Sequence, residues 1–339
     1  MFALKLSFEP FPPFALSVLA SISPSLLSPL TLITGGASKK ASSFQFMPEV
    51  AIRIKVERCT HCGTCVATCS ERIFVQAEAR SAPEARDTNR CIACGHCVVA
   101  CPADAIEHSD FPQGSFGALT PELLPSSAQV FEMLRARRSI REFQDKPVPN
   151  AVVEQVLEAA RTAPSAHNYQ KTQYVVVQHA ETRRRLFDLL AGFYAGLARQ
   201  VNNPLVRAVY RLQLSKTEVD SVMRLRSDFE MIAEHVRQGE DPFLYGAPCI
   251  IVAHAERDLN LPESNAAIAL HNATLMAQSL GLGGFLIGYL VAACARDRRF
   301  AKFLDLPPAH RVYGALGLGY PKRASTRWIG RKALVTKWM

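Results

Sequence analysis

Eight of the ten cysteines fall in two short runs of one spacing. The first, CTHCGTCVATCS, places Cys59, Cys62, Cys65 and Cys69. About thirty residues later CIACGHCVVACP places Cys91, Cys94, Cys97 and Cys101. Both read C-x2-C-x2-C-x3-C. Three thiolates at this spacing can wrap three corners of one iron–sulfur cubane from a tight loop. The fourth begins a helix that points away. With Pro after the last Cys, this is the bacterial iron–sulfur run. Pro102 supplies that residue in the second run, whereas Ser70 stands there in the first, a change at a turn and not at a ligand. Gly63, Thr64, Ala93 and Gly95 keep the backbone close to the inorganic sulfides, where its N–H groups can donate. Disulfides need an oxidising compartment and rarely repeat one spacing. Structural zinc takes paired C-x2-C knuckles or mixed Cys/His sites, and with His61 and His96 inside the loops it is the alternative to weigh. The duplicated spacing favours two [4Fe–4S] clusters over both.

Residues 47–108 resemble a bacterial-type two-cluster ferredoxin, and the resemblance covers that segment only. In two-cluster proteins of this type the fourth Cys of each run ligates the other cluster. Cys59, Cys62, Cys65 and Cys101 would then hold the first cluster, and Cys91, Cys94, Cys97 and Cys69 the second. Such a domain is an electron wire, and a wire needs something at its end.

The chain has 339 residues, 48% of them hydrophobic, which suggests more than one domain with ample material for a large core. Its formal net charge of +9 suits solubility, or attraction for cofactor phosphates or an acidic redox partner. The basic stretches RARRSIR and RDRR are short and embedded in amphipathic pattern, so no nucleic-acid partner is expected. Cys249 and Cys294 lie in apolar segments and read as buried small hydrophobes. The leading stretch FALSVLASISPSLLSPLTLIT carries Ser throughout and is broken by Pro24 and Pro29. A membrane helix needs roughly 20 uninterrupted apolar residues. Lys5 ahead of it would suit a signal peptide, but iron–sulfur clusters are built inside the cell. Residues 1–46 are expected to be an extension, disordered or a mis-called start, with a membrane-facing role as runner-up. The protein is expected to be cytoplasmic.

After His108 the chain turns to Pro, Gly and Ser, and residues 109–125 read as a linker. Residues 126–339 then read as an α+β domain. Ser126 or Ser127 can cap a helix with Val130, Phe131 and Leu134 on one face. A second helix carries Val152, Val153, Val156, Leu157 and Ala160. YVVVQ, CIIVAHA, FLIGYL and RVYGALGLGYP read as strands, and Ser264 to Gly284 as a long apolar helix with a glycine stop. The segment from Glu181 to Gly239 reads as mostly amphipathic helix. RRSIR sets Arg137, Arg138, Ser139 and Arg141 at a helix C-terminus, as capping cations or as a phosphate clamp. APSAHNYQ offers the amides of Asn168 and Gln170, either a polar loop or partners for a ring edge that shows donors and acceptors. His167 beside them reads as a loop residue in preference to a proton donor. GLGG fails the G-x-G-x-x-G spacing, so no dinucleotide fold is expected.

RRSIREF, APSAHNYQ, SLGLGGFLIGYL and LGLGYPKR, in this order, resemble the nitroreductase family of flavin enzymes over 126–339. The resemblance implies an FMN-binding α+β fold, most often a homodimer. It implies that Arg137, Arg138, Ser139 and Arg141 hold the FMN phosphate and ribityl end, and that Asn168 and Gln170 face the isoalloxazine ring. The backbone of Ile287 and Gly288 would approach the reactive nitrogen. Arg323 or Arg327 would complete the phosphate site. The whole chain then reads as a converter from one-electron to two-electron transfer, fed by ferredoxin or NAD(P)H and reducing a small electron-poor molecule, nitro compounds by default. No side chain is assigned as catalytic acid or base. The alternatives are a reductive dehalogenase or ene-reductase on the same fold, or an electron-transfer or redox-sensing module for a protein partner.

Overall fold

A computed structural model of the chain describes residues 50–205, 216–323 and 325–339, so the leading segment lies outside the described residues. The chain divides into two compact units. The first takes in residues 50–127 and Ser165–Gln170; the second takes in Ala128–Pro164 and Lys171–Met339. The Pro- and Gly-rich stretch 109–125 therefore groups with the cysteine-bearing unit.

The first unit contains β1 (Ile52–Ile54), α1 (Thr64–Thr68), β2 (Phe74–Val75), β3 (Glu84–Ala85), α2 (His96–Val99) and β4 (Ile106–His108). β1, ahead of the first cysteine run, pairs antiparallel with β4, which follows the second. β3, ahead of the second run, pairs with β2, which follows the first. The two halves are thereby interlocked. In each run a glycine starts the short helix from the left-handed region, Gly63 at φ 70° and Gly95 at φ 73°. Only glycine adopts that conformation at little cost, and a Cβ at Gly95 would also press on the Phe111 ring at 3.2 Å. The core here is small: Val50, Ile73, Phe74, Cys91, Cys97, Val98 and Ile106. Two of its members are cysteines. A unit of this size rarely holds together on such a core without a cross-link or metal.

The second unit contains α3 (Ser127–Ala136), α4 (Asn150–Arg161), β5 (Gln173–Val177), α5 (Ala180–Asn202), α6 (Lys216–Arg237), β6 (Cys249–Glu256), α7 (Pro262–Ser279), β7 (Gly283–Leu286), α8 (Gly288–Cys294), α9 (Arg298–Phe303) and β8 (His310–Gly319). The strands form one antiparallel sheet in the order β5-β6-β8-β7. β6 is buried on both faces, and its period of two sorts the contacts. Ile250 and Val252 join Leu186, Leu190 and Tyr194 of α5. Cys249, Ile251 and Ala253 join Val153 and Val156 of α4 and Leu270 and Ala273 of α7. Helices thus cover both faces of an antiparallel sheet, an α+β arrangement. The β6–β8 register shifts between Ala253 and His254. There the buried His254 sets its Nδ1 2.9 Å from Nδ1 of His310. Burial, helped by His310, pushes His254 down to about 4. Cys249 and Cys294 are both pushed up to about 12 by burial.

Two expectations are corrected in detail. FLIGYL is a strand only through Leu286; Ile287 N–H donates to Ala315 O, and the chain then leaves the ladder to begin α8 at Gly288. The long apolar helix ends at Ser279, short of Gly284, because Gly281 turns into the left-handed region and Gly283 and Gly284 enter β7. On α3, Phe131 and Leu134 are 61% and 41% exposed, so that face is not buried within this chain. No helix among the described residues is long and apolar enough to cross a membrane.

Gly283 lets RRSIR lie against β7. A Cβ there would fall 2.7 Å from Cβ of Ile140, an atom fixed to the backbone. Gly283→Ala is expected to lower unfolding stability by about 1–3 kcal/mol through overpacking. Denaturant titration checks this, and an unchanged midpoint would mean the Ile140 backbone shifts freely.

Candidate functional site

Cys59, Cys62, Cys65 and Cys101 line one cavity with Gly63 and Thr64. Cys69, Cys91, Cys94 and Cys97 line another with Gly95 and His108. Each cavity draws three thiols from one run and the fourth from the other. All eight are free thiols. Among the described residues no group of three or more His, Cys, Asp or Glu converges to hold a single metal ion.

The loops aim donors at these sulfurs. His61 N–H points to Cys59 Sγ at 3.4 Å, Ala93 N–H to Cys91 Sγ at 3.4 Å, and Ala105 N–H to Cys101 Sγ at 3.3 Å. His61 and Ala93 achieve this from φ of 56° and 47°, which costs energy in a non-glycine residue and persists only where the surroundings enforce it. Thr64 Oγ1 lies 3.2 Å from Cys62 Sγ and holds that thiol below its ordinary value. Burial raises Cys65 and Cys91, and pushes Cys97 up to about 12. Such thiols ionise when a cation arrives to hold them. Burial also holds His108 below the ordinary histidine value.

The expected amide loop behaves unexpectedly. Residues Ser165–Gln170 group with the cysteine-bearing unit. Asn168 Nδ2 donates to the main-chain oxygens of Ile92, at 3.2 Å, and Ala93, at 2.6 Å, in the middle of the second cysteine run. The expectation gave this amide to a flavin ring; its donor end is spent on the cysteine loop, leaving Oδ1. His167, Asn168 and Gln170 all sit at positive φ, 50°, 53° and 50°. Gln170 N–H donates to Ser165 Oγ at 2.9 Å. His167 is exposed, its ring 5.4 Å from that of Tyr169.

In the other unit, three of the sequence motifs meet. α3 ends at Ala136, and the chain then runs beside β7: Ser139 bridges Gly284, and Ile140 N–H donates to Gly284 O at 3.0 Å. It continues along the segment after β8, with Phe143 bridging Pro321 and Gln144 N–H on Tyr320 O at 2.8 Å. Arg137 and Arg138 are half-buried and have no ion pair or hydrogen bond among the described residues. Arg141 lies over the rings of Tyr245 and Phe285 at 5.6 and 5.5 Å. Arg323 is exposed and paired with Glu142 at 2.8 Å. Ile287 is buried, whereas Gly288 is exposed and a Cβ there would meet nothing within 4 Å. Arg296, the first residue of the RDRR stretch and just beyond α8, turns inward: its Nη1 donates to Ala292 O at 3.0 Å, and its buried Nη2 has no partner among the described residues.

The nitroreductase family model matches residues 134–320, and the 4Fe-4S dicluster domain model matches residues 58–106. The FMN reductase (NAD(P)H) of Bacillus subtilis strain 168 is 27% identical over 59% of this chain and 68% of its own length. Iodotyrosine deiodinase 1 of Rattus norvegicus is 30% identical over 66% of this chain and 72% of its own. The crystal structure of a nitroreductase with bound FMN from Bacteroides fragilis NCTC 9343 aligns with a TM-score of 0.47 and 22% identity over 62% of this chain and 99% of that one. With more than half of its residues inside the nitroreductase match and a 4Fe-4S dicluster domain ahead of it, the chain belongs to the nitroreductase family of oxidoreductases.

Proposed function

We propose that this protein is an iron–sulfur flavoprotein that passes electrons from two [4Fe–4S] clusters to FMN for the two-electron reduction of a small electron-poor organic molecule, a nitro compound in the first instance. The observation that carries the reading is the pair of four-thiol cavities in a chain of the nitroreductase family. Each cavity suits a cubane, with four thiols around a space and N–H donors aimed at sulfur.

The second unit suits FMN on two counts. Arg137 and Arg138 are half-buried cations with no protein anion among the described residues, as a phosphate would require. The backbone at Gly288 faces open space, which would let a flat ring approach. In this reading Arg137, Arg138 and Ser139 hold the phosphate and ribityl end, with Arg141 alongside. Ile287 and Gly288 border the ring, Gln170 and the free Oδ1 of Asn168 are its polar partners, and Arg323 joins the phosphate only by releasing Glu142. Bound FMN supplies one-electron acceptance and hydride delivery from a single ring. The arginines would stabilise its anionic reduced form, and water serves as the proton source. The donor is reduced ferredoxin or NAD(P)H, the latter favoured by the name of the Bacillus relative. Likeness to rat iodotyrosine deiodinase 1 favours reductive dehalogenation as the second reading.

A homodimer fits the exposed apolar side chains: Phe131 on α3, and Leu334, Val335 and Trp338 at 93%, 102% and 91% exposure. Sedimentation of the flavin-loaded protein as a monomer at micromolar concentration would remove that part of the reading.

Anaerobically purified protein is expected to carry about eight irons and about one FMN per chain, and to reduce a nitroarene in preference to a halophenol. Full iron without flavin would sink the flavoprotein reading; the reverse substrate preference would select dehalogenation. Arg138→Ala is expected to weaken FMN retention about tenfold or more, the loss of one charge-assisted contact of roughly 1.5–3 kcal/mol, read by flavin release on dilution. Cys101→Ala is expected to damage the cluster of the Cys59, Cys62 and Cys65 cavity and spare the other. Electron paramagnetic resonance of the reduced variant checks this, and loss of the second cluster alone would refute the crossed ligation.

A further inference from the structure

The two halves of the cysteine-bearing unit repeat at an offset of 32 residues, Cys59 matching Cys91, and this offset carries Gln76 onto His108. The two side chains do different work. Gln76 Nε2 donates to main-chain oxygens, of His61 at 3.3 Å and of Ser81 at 2.7 Å. The His108 ring, only 4% exposed, turns toward sulfur: its Nε2 lies 3.5 Å from Cys91 Sγ. Its other nitrogen, Nδ1, lies 3.2 Å from the Asp110 backbone N–H. A backbone N–H can only donate, so Nδ1 is the acceptor and the proton of the neutral ring sits on Nε2, facing the thiol. The ring is held by Phe111, whose centroid is 4.8 Å away, and Phe111 in turn packs over Gly95.

We infer that His108 donates an N–H···S hydrogen bond to the Cys91 thiolate of the second cluster, raising that cluster's reduction potential and making the two clusters inequivalent. The inference rests on the two-cluster reading above. One-electron reduction adds negative charge that the ligating sulfurs share, so a donor at sulfur stabilises the reduced form more than the oxidised one. One electron is gained, no covalent bond forms or breaks, and the proton stays on Nε2. The repeat-equivalent donor of the first half is spent on carbonyls, so the first cluster receives no matching side-chain N–H from Gln76.

The test is a redox titration of the anaerobic holoprotein with dithionite and mediators, followed by electron paramagnetic resonance, after counting iron. Fewer than about eight irons per chain in the unaltered protein would fail the two-cluster reading itself. With iron complete, His108→Gln, which copies the first half, and His108→Phe, which keeps the ring packing without the N–H, are both expected to lower one midpoint potential and leave the other in place. Midpoints that stay put, or that fall together, would overturn the inference. A second measurement needs no variant. In protein labelled with ¹⁵N-histidine, pulsed electron paramagnetic resonance of the reduced state is expected to show a histidine nitrogen coupled to a cluster spin. Absence of that coupling would overturn the inference even if neither variant assembles its clusters.

Discussion

Neither cysteine run can close a cavity by itself. Each lends its fourth thiol to the other, and the strands do the same, β1 pairing with β4 and β3 with β2. Ligand exchange and strand exchange are one topological fact: the fourth thiol does not begin a helix, as its spacing suggested, but follows the short helix that contains the third, and the strand beyond it lands beside the partner half. The apolar core between them is too small to dominate the energetics, and the thiols themselves are part of it. What the thiols hold therefore determines whether this unit is folded, because a ligand that binds only the assembled set adds its binding free energy to folding. The left-handed backbone at His61 and Ala93 fits the same constraint, spending local strain to point N–H groups at sulfur.

The metal-ligand positions could be read from the sequence because ligand spacing is a relation between near neighbours along the chain. Strands β5, β6 and β8 were legible for a related reason: short apolar runs bounded by turn residues. FLIGYL was not, since an apolar run of that length reads equally as strand or helix. Its fate is decided by Ile287 N–H finding Ala315 O and the chain then turning away. The partner of Asn168 was beyond reach altogether. The amide was visible, but the carbonyls that receive it are 75 and 76 residues back in the chain. For His108 the residue type was visible and its aim was not, because the aim depends on a backbone N–H two residues on and a thiol 17 residues back.

Net charge alone pointed nowhere in particular; the pairing of the arginines makes it informative. Arg135 pairs with Glu132, Arg161 with Glu158, Arg226 with Glu230, Arg237 with Glu234 and Arg299 with Asp297. These are short-range, largely exposed pairs that solvent screens, and each contributes little. They account for the bland share of the basic character. Arg137 and Arg138 are different because they are half-buried and have no such neighbour. Desolvating a cation without a counter-charge is unfavourable, so their position makes sense when a ligand brings the anion. Arg141 finds a different solution, resting on the faces of Tyr245 and Phe285.

A fold made of two matching halves starts with two matching sites, and they differ only where the side chains around them differ. The backbone has kept the match. At equivalent positions φ is 56° and 47° for His61 and Ala93, 70° and 73° for Gly63 and Gly95, and 53° and 50° for Arg72 and Asp104. Glycine, histidine, alanine, arginine and aspartate do not share these angles by preference. They share them because four thiols around a cavity dictate the path of the loop whatever side chains it carries. Side chains that are not ligands are therefore free to vary without disturbing the frame. The difference between Gln76 and His108 is of this kind: one position in the repeat, one backbone, two destinations for a donor. Tuning one site against its twin in this way needs a single residue change and no change of fold.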